Sequence, residues 1–228
     1  MSETRLAWHF VGDTLRDGRP IPADGEWLEL SGKLELCIRG LHASPSPLNA
    51  LRYAPGNTLC RVQLDGKIIV DDDKMVASRR RIIWHLAAEP MLWAFARWCA
   101  LQIIHLWDAP EVVVRYLRTG DPKLRDAARD AARDAVRTTA WDPARDAARA
   151  TASWAAARAT PWWEDAWATT WDVAKATARA TARDATRDAA RGTARDAAMD
   201  AQNKQLCKII KEARNGKTSW VFKEPANA

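Results

Sequence analysis

The stretch CIRGLHASPSPLNALRYAPGNTLCRVQLDG, residues 37–66, concentrates side chains that could do chemistry. His42 supplies an imidazole that titrates near neutral pH, and Tyr53 a ring that can stack on a planar group. His9 stands apart, in AWHF. Asp71, Asp72 and Asp73 put three carboxylates in a row, enough to attract a cation. Arg79, Arg80 and Arg81 offer guanidinium groups to a phosphate, although in a strand only alternate residues share a face. No Ser/His/Asp order, metal-ligand spacing or phosphate-binding glycine loop is present, so no metal or cofactor is expected from these residues alone. Each group also has a plainer role. His42 beside a turn reads as a hydrogen-bonded structural histidine, and Tyr53 at a helix end as a packed ring with its hydroxyl at the surface. His85 and His105, in apolar segments, read as core residues, and the three aspartates as solvated. Cys37, Cys60, Cys99 and Cys207 are scattered without CxxC spacing and read as reduced core thiols of a cytoplasmic protein.

The elements that must position these groups come first in the chain. Residues 5–11 (RLAWHFV) predict a strand, Glu26 to Leu30 a short one, and Lys33 to Ile38 another. Ser46 is an expected N-cap with Pro47 at the first helical position, and Pro55-Gly56 stops that helix near Tyr53. Thr58 to Leu64 and Lys67 to Val70 flank Asp65-Gly66, which reads as a hairpin turn. Asp71 to Asp73 form an exposed loop before a closing strand from Arg80 to Leu86.

At Glu89-Pro90 the texture changes. MLWAFARWCALQIIHLW is apolar on most sides and predicts a buried helix. PEVVVRYLR predicts another, ended by Thr119-Gly120. Asp121-Pro122, Asp142-Pro143 and Thr160-Pro161 each place a capping residue before a proline, giving helices at about 122–141, 143–159 and 161–213, with Gly192 a kink. The tetrapeptide RDAA recurs here, with arginine at 125, 129, 133, 137, 145 and 149, then at 179, 183, 187, 191 and 195. A period of four against 3.6 residues per turn winds the arginines slowly round the helix. What remains is a seam of small residues through Trp171, Ala174, Ala178, Ala182, Ala185, Ala189 and Gly192. Trp154, Trp162, Trp163, Trp167 and Trp171 add large rings that seek burial, and form the expected interface. Leu206, Ile209 and Ile210 make an apolar stripe, and Asn215 to Ala228 a loosely held tail anchored by Trp220 and Phe222. The fold class is therefore α+β: a small mixed β-sheet domain at 1–88, an all-α, Ala/Arg/Trp-rich repeat region at 89–213, and a tail at 214–228.

Charge restricts the partners. The chain carries a net +6 in 228 residues, with a pI near 9.3. Residues 120–200 nevertheless hold 14 basic against 13 acidic residues, and residues 201–228 hold 6 against 2. A phosphate backbone needs unpaired cations, so no specific nucleic acid is expected. No apolar run of membrane length and no signal peptide is present, so no membrane is expected either.

Two resemblances follow from the motifs. WHF, GLHAS, ALRYAPG, the CRV strand and DDDK, with the Ala/Arg/Asp/Trp repeat, resemble an uncharacterised phage-type domain, which implies a host-cytoplasm location and brings no activity. The order of residues 37–66 also resembles the ADP-ribosyltransferase core. That resemblance implies an NAD site in which His9, Gly40, His42 and Tyr53 stand for the ribose-holding histidine, the glycine, the first tyrosine and the stacking tyrosine. His9 lacks the following glycine, His42 replaces a tyrosine, and RRRIIWHL carries no glutamate to stabilise an oxocarbenium-like transition state. The leading expectation is a non-catalytic accessory protein using an Ala/Trp helical surface to bind a protein partner or assemble as a homo-oligomer. The alternative is a nucleotide-binding or transferase-like site with NAD in the N-terminal domain.

Overall fold

The structure is a computed structural model, describing residues 4–15, 17–138, 148–149, 166–184 and 188–223. The architecture is α+β, and the chain divides into two compact units, Met1–Glu89 and Pro90–Ala228.

The first unit contains β1 (Arg5–Val11), β2 (Trp27–Glu29), β3 (Leu41–Ala43), α1 (Pro47–Arg52), β4 (Thr58–Val70) and β5 (Met75–Ala87). Its described strand pairs are all antiparallel, so the sheet is not mixed as expected. β4 and β5 form a long hairpin. β1 runs along the free edge of β4, from Arg5 opposite Leu64 to Val11 opposite Thr58. The other edge of β5 is shared, with β3 on Met75 to Ala77 and β2 on Arg79 to Arg81. Just past β3, Ser44 exchanges two backbone hydrogen bonds with Trp8 of β1, at 2.8 and 2.9 Å. The path β1–β4–β5–β3 thus returns to β1, and the sheet curls on itself. Ala7, Val11, Ala43, Cys60, Val62, Leu64, Met75, Ala77 and Ile82 fill the inside of the curl.

α1 obeys its local signals. Ser46 Oγ accepts the Asn49 N–H at 3.1 Å, Pro47 opens the helix, and Tyr53 closes it. Leu48 and Leu51 are sealed beneath it. Two strand expectations are corrected. Asp65-Gly66 is not a hairpin turn: β4 runs through it, with a bulge between Asp65 and Ile68, and the chain reverses instead at Asp71 to Lys74. Gly66 sits at φ +74°, the left-handed geometry that a one-residue bulge requires, and Lys67 N–H donates to Ser78 Oγ at 2.9 Å. The residues that suggest a turn therefore bend a strand. Lys33 to Ile38 is not a strand either. Glu35 and Arg39 exchange both backbone hydrogen bonds, and Cys37 takes φ +67°, which closes a tight loop.

The second unit is helical in its described residues: α2 (Glu89–Leu101), α3 (Glu111–Thr119), α4 (Arg125–Thr138), α5 (Ala166–Asp184) and α6 (Asp188–Arg214). α2 is buried along most of its length, as its composition requires. Gly120 ends α3 in the left-handed conformation, and the Asp121 carboxylate caps the turn leading into α4. The helix expected at 143–159 lies outside the described residues, apart from 148 and 149. The single helix expected at 161–213 is two helices that fold back on each other. Gln202 Nε2 donates to Ala174 O at 3.0 Å and to Thr177 Oγ1 at 2.8 Å. α6 runs through Gly192, so the break falls before it, between Asp184 and Asp188. Ala174 and Ala178 of the small-residue seam are buried within this unit.

The tail is held through Lys223. Trp220 is 3% exposed, its Nε1 donates to Glu212 Oε2 at 2.7 Å, and Phe222 N–H donates to Arg118 O at 2.9 Å. Arg97 of α2, itself buried, donates to Leu117 O, Arg118 O and Trp220 O at 3.1, 3.2 and 2.9 Å.

Candidate anion site in the sheet unit

Alternation along β1 places Ala7, His9 and Val11 on one face, and Ala7 and Val11 belong to the sealed core. His9 is thereby carried onto the inward side, opposite Cys60 of β4. Arg80 and Ile82 are the buried residues of the middle of β5, opposite Leu64 and Val62. β3 sets His42 in register with Val76. Four strands thus gather His9, His42, Cys60 and Arg80 around one place.

Arg80 is the unusual member. It is only 5% exposed. Its Nη1 donates to His42 O, and among the described residues it makes no other hydrogen bond and has no carboxylate within ion-pair distance. Burial brings its pKa down to about 10, with a small opposing effect from Cys60. It therefore remains a cation at neutral pH. Burial, then the charge of Arg80, then His42 hold His9 well below the ordinary 6.5. Its ring is neutral at pH 7 and makes no hydrogen bond among the described residues. His42 Nε2 accepts the Cys37 N–H at 2.9 Å, which leaves its proton on Nδ1. Burial pushes the Cys60 thiol up to about 12 against the pull of Arg80. A protonated thiol is no nucleophile. The cluster therefore offers a fixed positive charge with unmet donors and a neutral imidazole, a set suited to holding an anion.

The remaining expected site residues have other work. Gly40, at φ +141°, is required by packing: a Cβ there would collide with Val76 Cγ2. Tyr53 is 45% exposed and donates to Asp73 Oδ2 at 2.6 Å. The Arg52 guanidinium and the Lys74 ammonium lie 5.4 and 5.7 Å from its ring centre. Its described polar and ring contacts are all to Arg52, Asp73 and Lys74, so it belongs to a separate surface group. Asp73 is not merely solvated, because it pairs with Arg52 at 2.7 Å. His85 and His105 are exposed, not core. A bulge in β5 at Ile83 shifts the register beyond Ile82, and His85 Nδ1 meets Asp24 Oδ1 at 2.8 Å near the strand end. Cys37 and Cys207 are exposed thiols, whereas Cys60 and Cys99 are buried. Trp154, Trp162 and Trp163, and the Trp167 side chain, lie outside the described residues. Trp171 is half-buried.

Of Arg79, Arg80 and Arg81, alternation sends only the middle one inward. Arg79 and Arg81 turn out to flank the Trp27 ring at 4.7 and 4.8 Å. Residues 6–94 match the family model of a domain of unknown function, DUF7666. The matched stretch contains every member of the cluster, so the match and the site coincide. No curated protein and no solved structure matches the chain. Among the described residues no group of three His, Cys, Asp or Glu is arranged to hold a metal, and no helix is long and apolar enough to cross a membrane.

Proposed function

We propose that the chain is a non-catalytic binding protein whose sheet unit takes an anionic, phosphate-bearing ligand of the nucleotide class against Arg80, with His9 and His42 beside it. The observation that carries this is the buried guanidinium, which makes one hydrogen bond, to His42 O, and has no carboxylate near it among the described residues. Leaving a charge buried and unpaired costs several kcal/mol, and a bound oxyanion offsets that cost through charge-assisted hydrogen bonds. A transferase role has less support: both described cation contacts to Tyr53 crowd its ring, and the cluster has no carboxylate for a developing positive charge. Titration calorimetry with ADP, ADP-ribose, NAD and inorganic phosphate tests the reading. Saturable binding that falls at least tenfold in Arg80→Met, with the fold retained by circular dichroism, supports it. If none of these ligands binds, and Arg80→Met unfolds the protein, Arg80 is a structural staple to β3 and the reading fails.

A second reading concerns the helical unit, as a surface for a protein partner or another copy of a phage-type accessory factor. Trp171 favours it, because this large ring stays half-buried while its neighbours Thr170, Val173 and Ala174 are sealed. Replacing Trp163, Trp167 and Trp171 with alanine should abolish association in sedimentation while helix content is kept. A wild-type chain that stays monomeric at high concentration, or a variant that unfolds, argues for a core role instead.

A further inference from the structure

The repeat exists in two versions, and the fold treats them differently. In α4 the unit is RDAA, with an aspartate three residues before most arginines. Arg129 meets Asp126 at 3.2 Å and Arg137 meets Asp134 at 3.3 Å. Lys175 at the start of the α5 series keeps the rule, meeting Asp172 at 2.9 Å. In α5 the unit then becomes ATAR, and the residues three before Arg179 and Arg183 are Ala176 and Ala180. Before Arg195 of α6 the equivalent residue is Gly192. The acid partner has been dropped at all three.

These three arginines come together. Because α5 and α6 fold back on one another, Arg179, Arg183 and Arg195 line one groove of about 280 Å³ with Ala182 and Gly192. Among the described residues Arg179 and Arg195 make neither an ion pair nor a hydrogen bond. Three guanidinium groups around one concavity repel each other unless an anion sits between them. Small residues at 182 and 192 leave room for one.

We propose that this groove is an anion site, separate from Arg80, that takes a small polyphosphate. Guanidinium forks match phosphate oxygens in pairs, and several of them facing one space suit a ligand with several adjacent charges better than a single carboxylate. The balanced charge of the repeat as a whole, which argues against nucleic acid, does not apply inside the groove, where the arginines lack their usual aspartates.

The test uses the full chain and inorganic tripolyphosphate, by calorimetry at physiological salt. Saturable one-site binding should weaken at least tenfold in Arg179→Gln/Arg195→Gln, partly return with lysine at both positions, and persist in Arg80→Met. The arginines are exposed, and circular dichroism of each variant confirms an intact fold. No saturable binding by the wild type, or equal binding by the glutamine variant, overturns the proposal. Tighter binding of a short DNA duplex through the same arginines overturns the small-ligand assignment in favour of a nucleic-acid contact. Loss of tripolyphosphate binding only in Arg80→Met would assign the anion to the sheet unit and sink the groove.

Discussion

His9 is a residue whose charge state reports its surroundings. Its folded pKa lies below the unfolded value near 6.5, because burial and the Arg80 cation disfavour the imidazolium. Between the two values the unfolded chain binds more protons, so stability rises with pH there and is lost as pH falls below about 6.5. Urea midpoints measured from pH 7.5 down to pH 5 should fall more steeply for the wild type than for His9→Gln. Parallel profiles would mean that the ring is solvated. The thiols make a second residue-scale prediction. Cys60 is pushed up to about 12 and Cys99 is raised well above the usual thiol range, both mainly by burial, whereas Cys37 and Cys207 are exposed. A disulfide reagent at pH 8 should therefore modify two thiols quickly and the other two only after denaturation. Rapid modification of all four would show that the core opens readily.

At the scale of elements, the bulge in β4 decides how the sheet curls. Gly66 holds φ +74°, and a Cβ there would collide with Ser78 Oγ, the group that accepts the Lys67 N–H. A left-handed conformation costs an L-residue about 1–2 kcal/mol, and the collision adds to this. Gly66→Ala should lower stability by at least about 2 kcal/mol in a denaturant titration, and Gly66→Asn by less, since asparagine tolerates this geometry. Equal losses for the two variants would mean that the backbone conformation is not what matters. The same element logic explains α1, where Ser46 and Pro47 act through neighbours only a few residues away. Ser46→Ala should cost about 1 kcal/mol by thermal denaturation, and no loss would show that the cap is dispensable.

For the whole molecule, the end of the chain is structural. Arg97 lies under the last turn of α3 and under Trp220, with three carbonyls for its guanidinium and the Phe222 ring 5.2 Å away. Removing residues 217–228 deletes one of those carbonyls and uncovers a buried tryptophan. Burying a large apolar side chain contributes about 1.5–3 kcal/mol, and an unmet buried charge adds to the loss. The truncated chain should melt several degrees lower and expose α2 to proteolysis. An unchanged melting temperature would restore the view of residues 214–228 as a loose tail.

What the sequence determined by itself was local. The start and stop of α1, the Gly120 end of α3, the Asp121 cap and the change from strands to helices near residue 89 depend on residues within one turn of each other. So does the i,i+3 pairing in the repeat, which is why it could be read directly. Tertiary structure decided whatever depends on distant partners. Asp-Gly makes a bulge because β5 continues beside it, and His85 is exposed because a register shift moves it to a strand end. The long helix folds back because Gln202 finds Ala174 and Thr177. Arg80 became the centre of the candidate site for the same reason. Alternation could say that one of three neighbouring arginines faces away from the other two. Only the return of β3 to β1, joining residues far apart in the chain, made that face an interior.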